Sequence, residues 1–217
     1  MTTLVDTIRT HVWNETMAGG MLPGHPLDEA TIAEKFGISR TPIREAAHHL
    51  CGEGLLCRST RGFMLVKPSL RDLRELLEFA GELEAACARL AARRITDDEG
   101  TALRHALEAC ATAVAAADAR SYEAANVQFH AVIHGAARNA ALVAQLRNVD
   151  TRCNIYRKDR FNRSARRERS LADHRLICAA IIEREPSAAH DAMVKHAQGG
   201  GEDFAELVAD ISPALFS

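Results

Sequence analysis

Two groups of residues in this 217-residue chain have types and spacings that could do chemistry. The first is Ser39-Arg40-Thr41-Pro42-Ile43-Arg44, read as the start of a helix capped by Ser39. Helical spacing puts Arg40, Thr41 and Arg44 on its exposed first turn and turns Ile43, Ala47 and Leu50 inward, toward Ile32 and Phe36. Arginine can hold the two major-groove acceptors of guanine bidentately, so Arg40 and Arg44 are candidates for reading bases. Ser39, Thr41 and the backbone N–H groups of the helix start suit phosphates. Arg61 and Gly62, at a predicted hairpin tip, could approach a phosphate or the minor groove. The second group is Asn126 and His130, four apart on one predicted helix face, with His174 and His196 each interrupting an apolar or alanine-rich helical face. Imidazoles from three helices converging inside a bundle would suit a divalent transition metal.

Each group has a plainer competing reading. The basic turn could be the solvated face of a structural helix pair, because short helix-turn-helix patterns recur by chance. The chain has ten histidines, and any three can be solvated or satisfied by hydrogen bonds. His134, one turn beyond His130, fits the same spacing.

The elements that must position these residues follow from local signals. Apolar residues from Leu4 to Met17 fall near helical spacing and stop at Gly19-Gly20. Asp28 caps a helix from Glu29 to Phe36 that ends at Gly37, the favoured residue just past a helix. The helix opened by Ser39 runs to about Cys51, with Pro42 tolerated in its first turn. Leu55 to Ser59 and Phe63 to Lys67 read as two strands around Arg61-Gly62. This order describes a winged helix-turn-helix, whose second helix enters the major groove. After Pro68-Ser69 only helical patterns follow: Leu70 to Ile95, Thr96 or Asp97 to Ala117, Ser121 to about Arg138, Ala140 to about Phe161, Ser164 to Glu185, and a last one from Pro186. The expected fold is therefore mostly α, a winged helix-turn-helix domain over residues 1–69 followed by an all-α helical bundle over 70–217.

Composition sets the limits. Hydrophobic content of 47% and charged content of 26% are those of a globular protein. A formal net charge of −2 excludes a bulk polyanion binder, so any nucleic-acid contact is a local patch. The six cysteines, Cys51, Cys57, Cys87, Cys110, Cys153 and Cys178, form no C-x-x-C pair and read as reduced thiols. Residues 1–17 lack the character of a signal peptide, and no apolar run approaches a membrane span, which points to a cytoplasmic protein without membrane contact.

Leu22-Pro-Gly, Ile32-Ala-Glu-x-Phe-Gly-Ile-Ser-Arg-Thr-Pro-Ile-Arg-Glu-Ala, Leu50-x-x-x-Gly-Leu and Arg61-Gly-x-x-x-Val66 resemble the DNA-binding domain of GntR-family transcription regulators over about residues 4–67. The resemblance implies operator contacts from Arg40, Thr41, Arg44 and Gly62. Some members carry an arginine where this chain has Ala30, so operator preference does not transfer from a relative. Asn126-x-x-Phe-His130, Ala137-x-Asn139-x-x-Leu142, Ser170-x-x-Asp-His174-Arg, Ala179-Ala-Ile and Met193-x-x-His196 resemble the FCD effector domain of the FadR-type subfamily over about residues 70–197. That implies a metal (zinc, nickel or similar) held by Asn126, His130, His174 and His196. Aspartate is commoner at the first position; asparagine keeps a carbonyl ligand and loses a charge. Ala80 stands where the family often has an arginine gripping a carboxylate effector. In the stretch Arg152 to Arg169, residues Arg152, Arg157, Arg160 and Arg163 are expected to follow the face of the fourth helix of the second domain, with Arg152 and Arg157 as replacement candidates, although such charge runs are usually solvated surface. Gly199-Gly200-Gly201 should weaken the last helix just past His196.

The leading expectation is a homodimeric transcription regulator that binds double-stranded operator DNA and responds to a small-molecule effector, an organic acid being one class. One alternative is a metal-dependent hydrolase or lyase centre; no carboxylate sits at a telling spacing from the histidines, although Asp173 and Glu123 adjoin. The other is a constitutive DNA-binding dimer with no effector.

Overall fold

Paired caps define the first elements. Helix α1 (Leu4–Ala18) begins with a capping box in which Thr3 and Asp6 each accept the other's backbone N–H, and it ends at Gly19 in the left-handed conformation. In α2 (Glu29–Phe36) the Asp28 carboxylate accepts from the N–H groups of Ala30 and Thr31, and Gly37 closes the helix at φ +64. In α3 (Arg40–Gly52) Ser39 occupies the N-cap position, but its side chain makes no capping hydrogen bond. The capping expected of Ser39 is thus positional only, and its hydroxyl stays exposed. Strands β1 (Leu56–Ser59) and β2 (Gly62–Leu65) pair antiparallel across the turn Thr60-Arg61, with Ser59 opposite Gly62. The wing is shorter than its expected strands, and Gly62 opens the second strand instead of forming part of the turn.

This is a computed structural model, and it describes residues 3–154, 156, 157, 160–198, 204 and 208. Among these the chain forms nine helices and a two-stranded sheet. It divides into two compact units, Met1–Leu73 with Asp150–Lys158 and Ile211–Ser217, and Arg74–Val149 with Asp159–Asp210. In the first, α1, α2, α3 and the wing close over a core of Ile8, Val12, Ile32, Ile43, Leu50 and Phe63. Arg9 of α1 also grips the Glu53 carboxylate with three hydrogen bonds of 2.7–3.2 Å, pinning α1 to the end of α3.

The remaining helices are α4 (Leu70–Arg94), α5 (Asp97–Ala115), α6 (Ala119–Ala137), α7 (Ala140–Asn154), α8 (Ser164–Ile182) and α9 (Pro186–Gln198). In the second unit α5 packs on α6 and α8, and α8 on α9. The core of this unit is rich in alanine (Ala85, Ala88 and Ala92 of α4, Ala106 of α5, Ala136 of α6 and Ala180 of α8 are buried), which lets helices approach closely around a polar centre. Thr96 and Glu99 form the capping box of α5. Helix α6 starts two residues before Ser121, because the Asp118 carboxylate accepts from the N–H groups of Arg120 and Ser121 and is the stronger cap. Helix α7 stops at Asn154, not Phe161. Phe161 is buried edge-on against Tyr122 at 4.8 Å, and the Arg167 guanidinium donates to the carbonyls of Phe161 and Asn162. These contacts fix Phe161 and Asn162 just ahead of α8, and α7 ends before Arg157, Arg160 and Arg163, which therefore do not continue its face. Helix α8 ends at Ile182 with Arg184 at φ +56, its guanidinium donating to the Ile95 carbonyl at 2.7 Å. The Gly199-Gly200-Gly201 run lies outside the described residues. None of the six cysteines is joined in a disulfide, and four of them are buried. No described helix is long and apolar enough to cross a membrane.

Gly37 has open space where a Cβ would sit, so only its left-handed backbone opposes a side chain. Gly37→Ala is expected to cost about 1–2 kcal/mol, read as a lower urea midpoint with an unchanged slope.

Candidate functional site

On the first unit, Ser39, Arg40, Thr41 and Arg44 are exposed along the leading turn of α3, and Arg61 is exposed at the wing tip. Arg44 is 61% exposed, and its Nε donates to Glu29 Oε2 at 2.9 Å. The other oxygen of Glu29 lies 3.1 Å from where a Cβ on Gly62 would be. Glu29 therefore sits where α2, α3 and the wing meet, and Gly62, at φ +126, leaves room for it. With Nε engaged by Glu29, the terminal nitrogens of Arg44 are the donors that would suit guanine O6 and N7. Ala30, next to Glu29 on α2, is exposed and contributes no charge.

On the second unit, α6 carries Asn126 and His130 one turn apart, α8 carries His174 and α9 carries His196. His174 is wholly buried, His196 and Asn126 nearly so. Ligand-capable ring nitrogens of His130, His174 and His196 lie within 4.8 Å of one another. Phe129 stacks on His174 at 4.2 Å and fixes its plane. Asn126 Oδ1, both nitrogens of His174 and Nδ1 of His196 are buried without a hydrogen-bond partner. Each such orphan costs about 1–3 kcal/mol unless something satisfies it. Burial holds His174 and His196 well below the ordinary imidazole range, with neighbouring histidines and the charges of Arg160 and Arg166 adding to the effect. Neutral imidazole is the form that ligates a metal. Asn126 and the rings of His174 and His196, all buried, together with the half-buried His130, bring one donor atom each from three helices, a set that fits a divalent transition ion.

Spacing did not single out two carboxylates that join this centre. Glu84 Oε2 lies 3.3 Å from Nδ1 of His130 and 2.9 Å from Nε2 of His134. Burial alone would raise the Glu84 carboxyl, but the two histidines outweigh it and hold it far below the usual carboxylate range. His134 is thereby drawn into a second group with Glu84 and His130. Asp173 Oδ2 lies 3.5 Å from Nδ1 of His196, an ion-pair distance too long for a well-formed hydrogen bond. A signal for Glu84 did exist: it falls four residues from both Ala80 and Ala88, which are buried, and a carboxylate on a buried stripe needs a partner. Arg152 and Arg157 fall in the segment grouped with the first unit, and Arg157 faces Asp150 at 4.0 Å. The arginine charges felt at His174 and His196 are instead those of Arg160 and Arg166.

Comparison with known proteins gives a consistent picture. Residues 3–66 match the bacterial regulatory proteins of the gntR family, and residues 75–199 match the FCD domain. The chain is 27% identical over 180 residues to YdhC, an HTH-type transcriptional regulator of Bacillus subtilis, spanning 82% of this chain and 80% of that protein. It is 27% identical over 186 residues to the transcriptional repressor RspR of Escherichia coli, spanning 85% and 82%. The structure of Escherichia coli McbR/YncC superposes with a TM-score of 0.75 at 21% identity, over 96% of this chain and 99% of that one, and shares its fold.

The buried histidines also set a pH dependence in the metal-free protein. Their folded pKa values lie below the unfolded value of 6.5, so below that pH the unfolded chain binds more protons and stability falls as pH falls. Each such histidine contributes about 1.4 kcal/mol per pH unit. Melting of EDTA-treated protein is expected to drop steeply from pH 6.5 to 5, and His174→Phe to flatten that slope; an unchanged slope in the variant would contradict it.

Proposed function

The chain belongs to the GntR family of bacterial regulatory proteins, in its FCD branch, and from that premise we propose how this transcriptional regulator reads DNA and senses a ligand. Residues 1–69 form the DNA-binding domain and 70–217 the effector domain. Two copies assemble as a cytoplasmic homodimer, which sets two α3 helices about one helical turn apart on a pseudo-palindromic, double-stranded operator. Arg40 and Arg44 contact bases; Ser39, Thr41 and the wing residues Arg61 and Gly62 contact the backbone or minor groove. Exposed Phe79, Val127 and Leu176 offer apolar surface for the second copy.

In the effector domain Asn126, His130, His174 and His196 hold a zinc- or nickel-like ion. The observation that carries this reading is the pairing of Asn126 Oδ1 and the His174 nitrogens, buried without partners, with ring nitrogens of His130 and His196 that lie within 4.8 Å of those of His174. When bound, the ion supplies a Lewis-acidic position for an anionic ligand. The positive charges of Arg160 and Arg166 beside His174 and His196 favour an organic acid in the same place. Such an effector changes operator affinity only through different affinities for the dimer's two arrangements, because linkage makes the coupling reciprocal.

Two measurements test this. With duplexes selected from a random library by the wild-type protein, Arg44→Ala is expected to lose about tenfold or more in affinity by fluorescence anisotropy, with an unchanged melting temperature. Retained affinity would sink the assignment. Protein with zinc at a hundredfold excess over Kd is expected to be more stable than EDTA-treated protein by about 2.7 kcal/mol; superimposable melting curves would remove the metal.

A further inference from the structure

We propose that the negative charge needed by an ion at this centre comes from behind two of the histidines, from Glu84 on α4 and Asp173 on α8, and not from a directly coordinating carboxylate. The inference rests on the metal reading above and states what makes that site workable in this chain. All four inner ligands are neutral, an amide carbonyl from Asn126 and three imidazoles, and three of the four residues are almost fully buried. The positive charges of Arg160 and Arg166 are also felt at His174 and His196. A dication placed among neutral donors and two guanidinium groups, away from water, is strongly disfavoured unless anions lie close by.

Two carboxylates stand in the required places. Glu84, 13% exposed at its side chain, faces Nδ1 of His130 at 3.3 Å. Asp173, 18% exposed, faces Nδ1 of His196 at 3.5 Å. A carboxylate at Nδ1 favours the tautomer protonated there, leaves the Nε2 lone pair as the ligand, and makes the ring more electron-donating. The two differ in manner. Glu84 is hydrogen-bonded, so it both orients His130 and supplies charge; Asp173 acts chiefly through charge. His134 binds the same Glu84 oxygen at 2.9 Å and keeps the carboxylate aimed at the cluster from a second side. One carboxylate behind each of two rings matches the two charges of the ion itself, and Glu123, 3.9 Å from Arg160, faces one of the guanidinium groups.

The test is the zinc affinity of metal-stripped full-length protein, measured by competition with a chromogenic chelator. Glu84→Gln is expected to weaken zinc binding by about 10- to 100-fold, and Asp173→Asn to weaken it as well. The deciding measurement repeats Glu84→Gln in protein that also carries Asn126→Asp. A directly coordinating carboxylate then supplies the missing charge, so the loss from Glu84→Gln shrinks by about a factor of ten. A purely structural role for Glu84 would give the same loss in both backgrounds, and that result, or wild-type affinity in both Glu84→Gln and Asp173→Asn, overturns the proposal. If Glu84→Gln does not fold as judged by circular dichroism, Asp173→Asn in the two Asn126 backgrounds decides by the same comparison. Wild-type protein that takes up no zinc at all overturns the metal reading and this inference with it, a result distinct from zinc binding that ignores Glu84.

Discussion

Three imidazoles cannot be buried side by side unless they stay neutral and find partners for their lone pairs, and the effector domain is arranged around that constraint. His174 and His196 are kept uncharged mainly by burial, which only a closed helical shell can impose. The alanine-rich core provides the shell, because small side chains let α5, α6 and α8 approach closely without filling the space where the rings meet. The same enclosure would be costly around nothing, with both nitrogens of His174 and the amide oxygen of Asn126 left unsatisfied. A domain built this way folds toward a polar centre whose buried groups are not all satisfied by the protein itself.

The DNA-binding domain solves a different problem with fewer groups. Its core is ordinary aliphatic packing, and its working surface depends on a short chain of contacts at Glu29, which bonds Arg44 and closes on Gly62 of the wing. The Arg9–Glu53 interaction holds the far end of α3 in the same frame. Position along α3 and orientation of the wing are thus fixed by side chains outside the exposed arginine turn.

Much of this was legible in the sequence wherever the cause is local. Asp28, Gly37 and Thr96 mark helix ends because a cap needs only its own neighbours, and the structure places them there. Family membership was legible through the Ile32–Ala46 and Ser170–Arg175 patterns, and the family matches cover both stretches. Competition and distance hid the rest. Asp118 outdoes Ser121 as a cap three residues earlier, a contest that composition alone does not settle. The end of α7 depends on Phe161 meeting Tyr122, a contact between separate helical segments. Glu84 reaches His130 and His134 across 46 and 50 residues of sequence, so no spacing rule within one helix could join them.

The Glu29–Arg44 bond has a consequence for recognition kinetics. An arginine side chain loses considerable rotamer freedom when it docks on a base. For Arg44 in its proposed role as a base reader, part of that ordering would be done before DNA arrives, by the Glu29 carboxylate, which also repels phosphates. General attraction to the duplex is reduced at this point, while the barrier to a correct encounter is lowered. The protein would then spend less time on random sequence and commit faster at a matching half-site.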